Sequence, residues 1–241
     1  LFWQGDDAHL NTIKKYEDNI TTYYNTIKKL LTNSIIPVKE YLTLYHKNNI
    51  FIDALHLDID LYVEKFKENE DNLTVKLVEK EMKHLDLIEE ELLKLIPNKI
   101  WLGLIVINCE ELRYDLSRKY SEIKRLIKEY YIKLIRSKCI EIDRYFTHIS
   151  TELKKPIHNL KELILLKDYT SKAPTLIENK MKSIEKQMIA FNLLDKLQYK
   201  CHHDIYKLKW NTYHWPKRLY TQIHSKKNAM KDDEIKFLNL M

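Results

Sequence analysis

From Glu110 to Lys154 the chain runs without a glycine or a proline. Leu112, Leu116, Tyr120, Ile123, Ile127, Tyr130 and Leu134 recur there at three- or four-residue steps. Cys139, Ile142, Phe146, Ile149 and Leu153 resume the rhythm after a five-residue step. Such spacing lines apolar side chains along one face of an α-helix. At the helical rise this segment would be roughly 65 Å long, whereas a compact globule of this size has a radius of gyration of about 18 Å. The sequence therefore predicts an all-α, elongated multi-helix bundle with one very long helix over 110–154.

Composition supports helices over sheets. Only 2 glycines and 5 prolines occur in 241 residues, too few to supply the tight turns of a β-sandwich or barrel. Hydrophobic residues make up 44% and charged residues 32%, a balance that builds a core and argues against disorder. No apolar run is long enough to cross a bilayer, so no membrane partner is expected. Cys109, Cys139 and Cys201 are scattered and odd in number, which argues against a disulfide framework and for a reducing compartment. The opening "LFWQGDD" reads as the start of a fragment. The net charge of +6 is uneven, with −5 over residues 1–100 and +11 over 101–241. A basic half can mark nucleic-acid, microtubule or acidic-partner binding. No Gly-rich loop or aromatic–basic signature of nucleic-acid binding accompanies it, and alternating charges on solvated helix faces account for most of it.

The rest of the chain reads as helix after helix. Leu10, Ile13, Ile20, Tyr24, Ile27 and Leu31 fall near one face of a first helix, with Asp6 or Asp7 as its cap. Pro37 suits the first turn of a second helix, and Asn48-Asn49 a break in it. Leu77, Glu81, Leu85, Ile88 and Leu92 keep the step in a further helix that stops at Ile96-Pro97. Lys99 to Asn108, "KIWLGLIVIN", is short and apolar and contains Gly103; it is expected to be extended over about 100–107. Pro156 should end the long helix. Asn159 with Glu162 has the spacing of a capping box and opens a helix from about Leu160 to Ser171. Pro174 opens another, to about Tyr199, and a final helix starts near Pro216.

Nothing along the chain assembles a catalytic, cofactor or metal site. Cys201, His202, His203 and Asp204 are four potential ligands, but consecutive residues cannot all face one ion. Glu89, Glu90 and Glu91 point to different sides of a helix. There is no G-x-x-x-x-G-K-[ST] phosphate loop.

"KWNTYHWPKRL" (Lys209 to Leu219) is the most unusual stretch. Trp210 and Trp215 sit five residues apart, and Pro216 follows the second. A helix break between them would let both rings pack against the preceding helix pair, with Pro216 resetting the chain direction. The alternative is a tryptophan pair exposed for a partner helix.

Several stretches together resemble dynein heavy chains. In "IPNKIWLGLIVINCEELRYDLSRKYSEI" (Ile96 to Ile123), Ile96-Pro97 precedes an apolar run ending in Ile107-Asn108, and Leu116-Ser117-Arg118-Lys119 follows. Lys154 to Asp195 is similar to the family's K-P-x-x-x-x-E-L turn and paired helices. Trp210, Trp215 and Pro216 match its W-x-x-x-x-W-P segment, and Asp232 to Phe237 follows in order. The Leu-Ile after Gly103 departs from the proline or aromatic that the family favours there. The resemblance covers residues 96–237 and extends to the first 95 only in helical character. It is nearest the axonemal, single-headed inner-arm type, in the C-terminal part of the tail before the linker.

The resemblance implies a division into a helical tail segment, 1–96, and a helical bundle leading toward the linker, 97–241. It implies a force-transmitting role without catalysis, since the ATP-hydrolysing ring and the microtubule-binding stalk of the family lie further C-terminal. It implies no cofactor in this segment, an axonemal location, and assembly with the rest of the heavy chain and with dynein light and intermediate chains, with actin as a further candidate. Trp210, Trp215, Pro216, Ile142, Phe146 and Ile149 are the structural or interface residues expected to matter. An unrelated coiled-coil or spectrin-like interaction module is the alternative, though it needs neither the Ile-Pro strand-like run nor the paired tryptophans.

Overall fold

The computed structural model describes residues 7–68 and 73–239, with side chains over 16–68 and 73–236. The expected Asp6 cap and the Leu10 and Ile13 side chains lie outside those described. Among the described residues the chain forms seven helices and one two-stranded hairpin, as the all-α reading expects. They are α1 (Asp7–His46), α2 (Asn49–Leu55), α3 (Ile59–Lys67), α4 (Val75–Leu95), β1 (Lys99–Leu102), β2 (Ile105–Asn108), α5 (Glu110–Leu153), α6 (Leu160–Lys196) and α7 (His203–Asn239). Two compact units arise, one from Leu1–Lys65 with Met82–Ile123 and one from Phe66–Glu81 with Lys124–Met241.

In the first unit, α1 continues through Pro37, which therefore does not open a helix. Its break falls at Asn48, whose side chain accepts a hydrogen bond from Phe51 N at 3.2 Å and caps α2. The face of α1 carrying Ile20, Tyr24, Ile27 and Leu31 is exposed. Asp58 Oδ1 accepts from the amides of Asp60 and Leu61 at the start of α3. The C-terminal end of α4 exposes carbonyls that its own helix cannot satisfy. Arg113 Nη1 donates to the carbonyls of Leu93 and Ile96 there, and Tyr45 Oη donates to that of Leu95. Glu89 accepts a hydrogen bond from Ser117 Oγ.

The extended segment is a β-hairpin. β1 and β2 pair antiparallel, with Leu102 opposite Ile105 and Trp101 opposite Val106. Gly103 takes φ +64° at the first of two turn positions, a conformation that favours glycine, and Leu104 has no positive φ. That pattern is a type II′ turn, which matches the twist of the flanking strands. The hairpin hands the chain directly to α5: Cys109 N donates to Asn98 O at 2.8 Å, and Asn108 Oδ1 accepts from Glu110 N.

Helix registers differ from the sequence reading in two places. In α4 the buried residues are Val78, Met82, Leu85 and Leu92, so Leu77 and Glu81 flank the stripe. In α5 the buried line passes through Ile127, Tyr131, Ile135 and Cys139, so there is no five-residue step; Tyr130 and Leu134 lie beside it, half-buried. Consecutive four-residue steps carry a stripe around a helix by about 40° each. From Ile123 to Cys139 four such steps turn the buried face of α5, and the intermittent three-residue steps beyond Cys139 hold it there.

The second unit is built mainly on an up-down-up bundle of α5 from Lys124 onward, α6 and α7. Asp143 meets Trp215, Ser150 meets Gln222, and the Lys155 carbonyl meets Lys226, pairs whose numbers rise together, so α5 and α7 run parallel. Tyr145 reaches the Leu176 carbonyl and Lys128 that of Leu197, which sets α6 antiparallel to α5. Asn159 caps α6 as expected: its Oδ1 accepts from Glu162 N at 2.9 Å, while Glu162 reaches back to His158 N at 2.8 Å.

Two predicted breaks are absent. α6 passes through Pro174 and α7 through Pro216 without interruption. Proline inside a helix costs about 3 kcal/mol. Around Pro174, however, Leu166 and Ile177 are buried, and around Pro216 the Trp215 ring is half-buried and Leu219 and Ile223 are buried. Each fully buried large apolar side chain contributes about 1.5–3 kcal/mol, so packing on both sides of the ring outweighs the local penalty.

Candidate functional site

Phe146 is the centre of the second unit's main core. Ile142, Phe146, Ile149 and Leu153 of α5, Ala173, Ile177 and Ile184 of α6, and Leu219 and Ile223 of α7 form one buried cluster. Three turns of α5 place its contribution at three- and four-residue steps, which is why it reaches both neighbours. The structure thus brings Ile142, Phe146 and Ile149 together in an internal core, with Phe146 fully buried.

Trp215 joins this core from α7, half-buried. Its ring stacks on Phe146 with centroids 6.1 Å apart, and its Nε1 donates to Asp143 Oδ1 at 2.7 Å. An indole seated this way satisfies its polar edge while its body excludes water. Two turns further on, Ser150 Oγ donates to Gln222 Oε1 at 2.9 Å. Arg218 lies over the outer side of the Trp215 ring, 5.9 Å from its centroid.

Trp210 does not share that setting. It is 52% exposed. Because α7 is continuous, five residues separate the two rings by about 140° around the helix, and a single buried face cannot hold both. The expectation that both pack at a helix break fails for that reason, as does the one that Pro216 redirects the chain: Pro216 sits mid-helix, half-buried. Trp210 instead meets Tyr213 edge-on at 5.9 Å and His214 at 6.0 Å on the surface.

Two buried polar groups sit beside the core. Burial pushes the Cys139 thiol up to about 11, and the neighbouring Thr212 hydroxyl opposes that shift. Thr212 Oγ1 is buried without a hydrogen bond of ordinary geometry, so its contact with the thiol is a weak one. Burial likewise pushes Tyr131 up to about 12.

The groups considered for chemistry are dispersed. His202 and Asp204 lie 3.6 Å apart and almost fully exposed, Cys201 is half-buried, and no group of three or more His, Cys, Asp or Glu side chains gathers as a metal site among the described residues. Glu90 pairs with Lys94 at 3.7 Å on the surface, one residue from the Glu89 that receives Ser117.

Sequence reasoning missed the Asp143–Trp215 and Ser150–Gln222 bonds. Each joins residues 72 apart. Their common seven-residue spacing on both helices is a signal only once α5 and α7 are known to run parallel.

No family model matches the sequence. Over 238 residues, 98% of the chain, it is 23% identical to dynein axonemal heavy chain 1 of Homo sapiens. Over the same length it is 22% identical to the Mus musculus protein of that name. The first 95 residues are therefore included, beyond the helical character that they share with the family. The chain spans 5% of the length of each of these curated relatives. Among the described residues no helix is long and apolar enough to cross a membrane. The chain is thus similar, along nearly its whole length, to a short segment of axonemal dynein heavy chains.

Proposed function

We propose that the chain is a non-catalytic, force-transmitting segment of an axonemal dynein heavy chain tail, in the part that precedes the linker. The observation that carries this reading is the similarity over 98% of the chain to one short stretch of heavy chain 1. The packing of α5 against α7 supports its mechanical half. The two helices run parallel, tied by Trp215 to Asp143 and by Gln222 to Ser150, with Phe146 seated between them. Sliding one helix along the other would have to break both bonds and unseat the ring at the same step. Its place is the axoneme. Its partners are the rest of the heavy chain and the dynein light and intermediate chains, with actin as a further candidate.

The mechanical role is tested in a full-length heavy chain carrying Phe146→Asp with Ile149→Asp. Breaking this core should slow microtubule gliding severalfold while ATP turnover by the motor persists. Unchanged gliding, with the segment shown by limited proteolysis to be unfolded, would contradict the role. The chain alone is expected not to hydrolyse ATP. Turnover by the pure chain, abolished by a substitution within it, would overturn that expectation.

A further inference from the structure

The outward face of α7 has no part in the core. At 100° per residue, Tyr206, Trp210, Tyr213, Lys217 and Tyr220 fall within about 80° of one another, on the side of the helix away from Thr212, Leu219 and Ile223. The four aromatics are 38%, 52%, 54% and 43% exposed. Single exposed aromatics are ordinary, but a contiguous run of them is the mark of a contact surface. Tyrosine and tryptophan are also the side chains that most often anchor such contacts.

The charge on this helix is one-sided. From Ile205 to Lys231 there are seven Lys and Arg residues and no Asp or Glu. Three of the seven are engaged. Lys209 pairs with Asp195 at 3.2 Å, Lys226 donates to the Lys155 carbonyl, and Arg218 lies over Trp215 and bonds Asn211. Lys207, Lys217, Lys227 and Lys231 are exposed and make no ion pair among the described residues. Of the acidic groups nearby, Asp195 is paired with Lys209, Asp143 accepts from the neutral Trp215 indole and Asp204 lies beside His202, so the four lysines outnumber the acidic groups left to face them.

We propose that this face docks an acidic polypeptide segment, rich in Asp or Glu, with apolar side chains at helical spacing. Charge complementarity selects the acidic residues, and the aromatic row selects the apolar ones. Tyr206 to Tyr220 spans about 21 Å, the length of about fourteen residues of helix. A protein segment fits better than a nucleic acid. The Trp210 and Tyr213 rings are packed edge to face, at an interplanar angle of 87°, and so present no flat platform of successive parallel rings on which bases could stack. The inference stands on α7 alone and does not depend on the dynein reading.

The test uses the whole chain and a fluorescent peptide of about fourteen residues, Glu-rich with Leu or Phe every third or fourth position. Anisotropy should report saturable binding that weakens at high salt. Affinity should fall at least about tenfold in Trp210→Ala/Tyr213→Ala and again in Lys207→Glu/Lys217→Glu. All four positions are exposed, and circular dichroism will verify that both variants keep the wild-type fold. Absence of saturable binding would overturn the proposal, as would binding that survives either double variant. Tighter binding of a single-stranded DNA of similar length, lost in the same variants, would overturn it in favour of a nucleic-acid surface.

Discussion

Trp215 and Trp210 are the same residue type on the same helix, five positions apart, and their energetics should differ severalfold. Trp215→Ala removes a ring stacked on Phe146 and strands the Asp143 carboxylate that its indole satisfies. The expected loss is about 2–4 kcal/mol, somewhat below that of a fully buried aromatic. Trp210→Ala should cost no more than about 0.5 kcal/mol, because its ring is on the surface. Urea midpoints of the two variants test this directly, and equal midpoints would contradict the placement of the rings. Cys139 and Tyr131 make a second residue-scale prediction. Burial raises both, to about 11 and about 12, so the unfolded chain loses these protons at lower pH than the folded one. Their contribution is whole below about pH 9 and is lost as pH climbs through the folded values. The denaturation midpoint should therefore fall between about pH 9 and pH 12, and less steeply in Cys139→Ala.

At the scale of elements, what was legible in the sequence is what local chemistry decides. The break at Asn48-Asn49, the Asn159 cap and the uninterrupted α5 each depend on a few neighbouring residues, and each is where the sequence places it, whereas the turn at Gly103 that folds the extended run into a hairpin was not read from it. The prolines misled because their effect is settled by distant packing: Pro37, Pro174 and Pro216 all lie inside helices. The stripes of α4 and α5 were misplaced by one residue, since Leu77 beside Val78, and Tyr130 beside Tyr131, are equally apolar choices. The end of α6 supplies an element-scale prediction. Tyr199 N bonds to Leu194 O and Gln198 N to Asp195 O, the two bonds of a Schellman motif, with Gln198 at φ +52° where glycine is usual. Gln198→Gly should stabilise the second unit by about 0.5–1 kcal/mol, measured as a higher thermal midpoint. A lower midpoint would mean that the side chain contributes more than its backbone strain costs.

For the molecule as a whole, the resemblance was legible only in part. Ile96-Pro97, the hairpin run and the paired tryptophans with Pro216 pointed to dynein heavy chains, and the similarity found over 98% of the chain bears that out. Residues 1–95 gave no such sign, because amphipathic helices look alike when no rare residue marks their ends. The core around Phe146 was visible as a periodic stripe, but its partners on α6 and α7 were not, since helical spacing says which face is buried and not against what. The proposed tail role requires that this chain be one segment of a dynein heavy chain. The most direct measurement is the sequence of the transcript read past the codon for Met241. An open reading frame that continues into a linker and several phosphate-loop modules is expected; a stop codon within a few residues, with no such modules, would rule the tail assignment out.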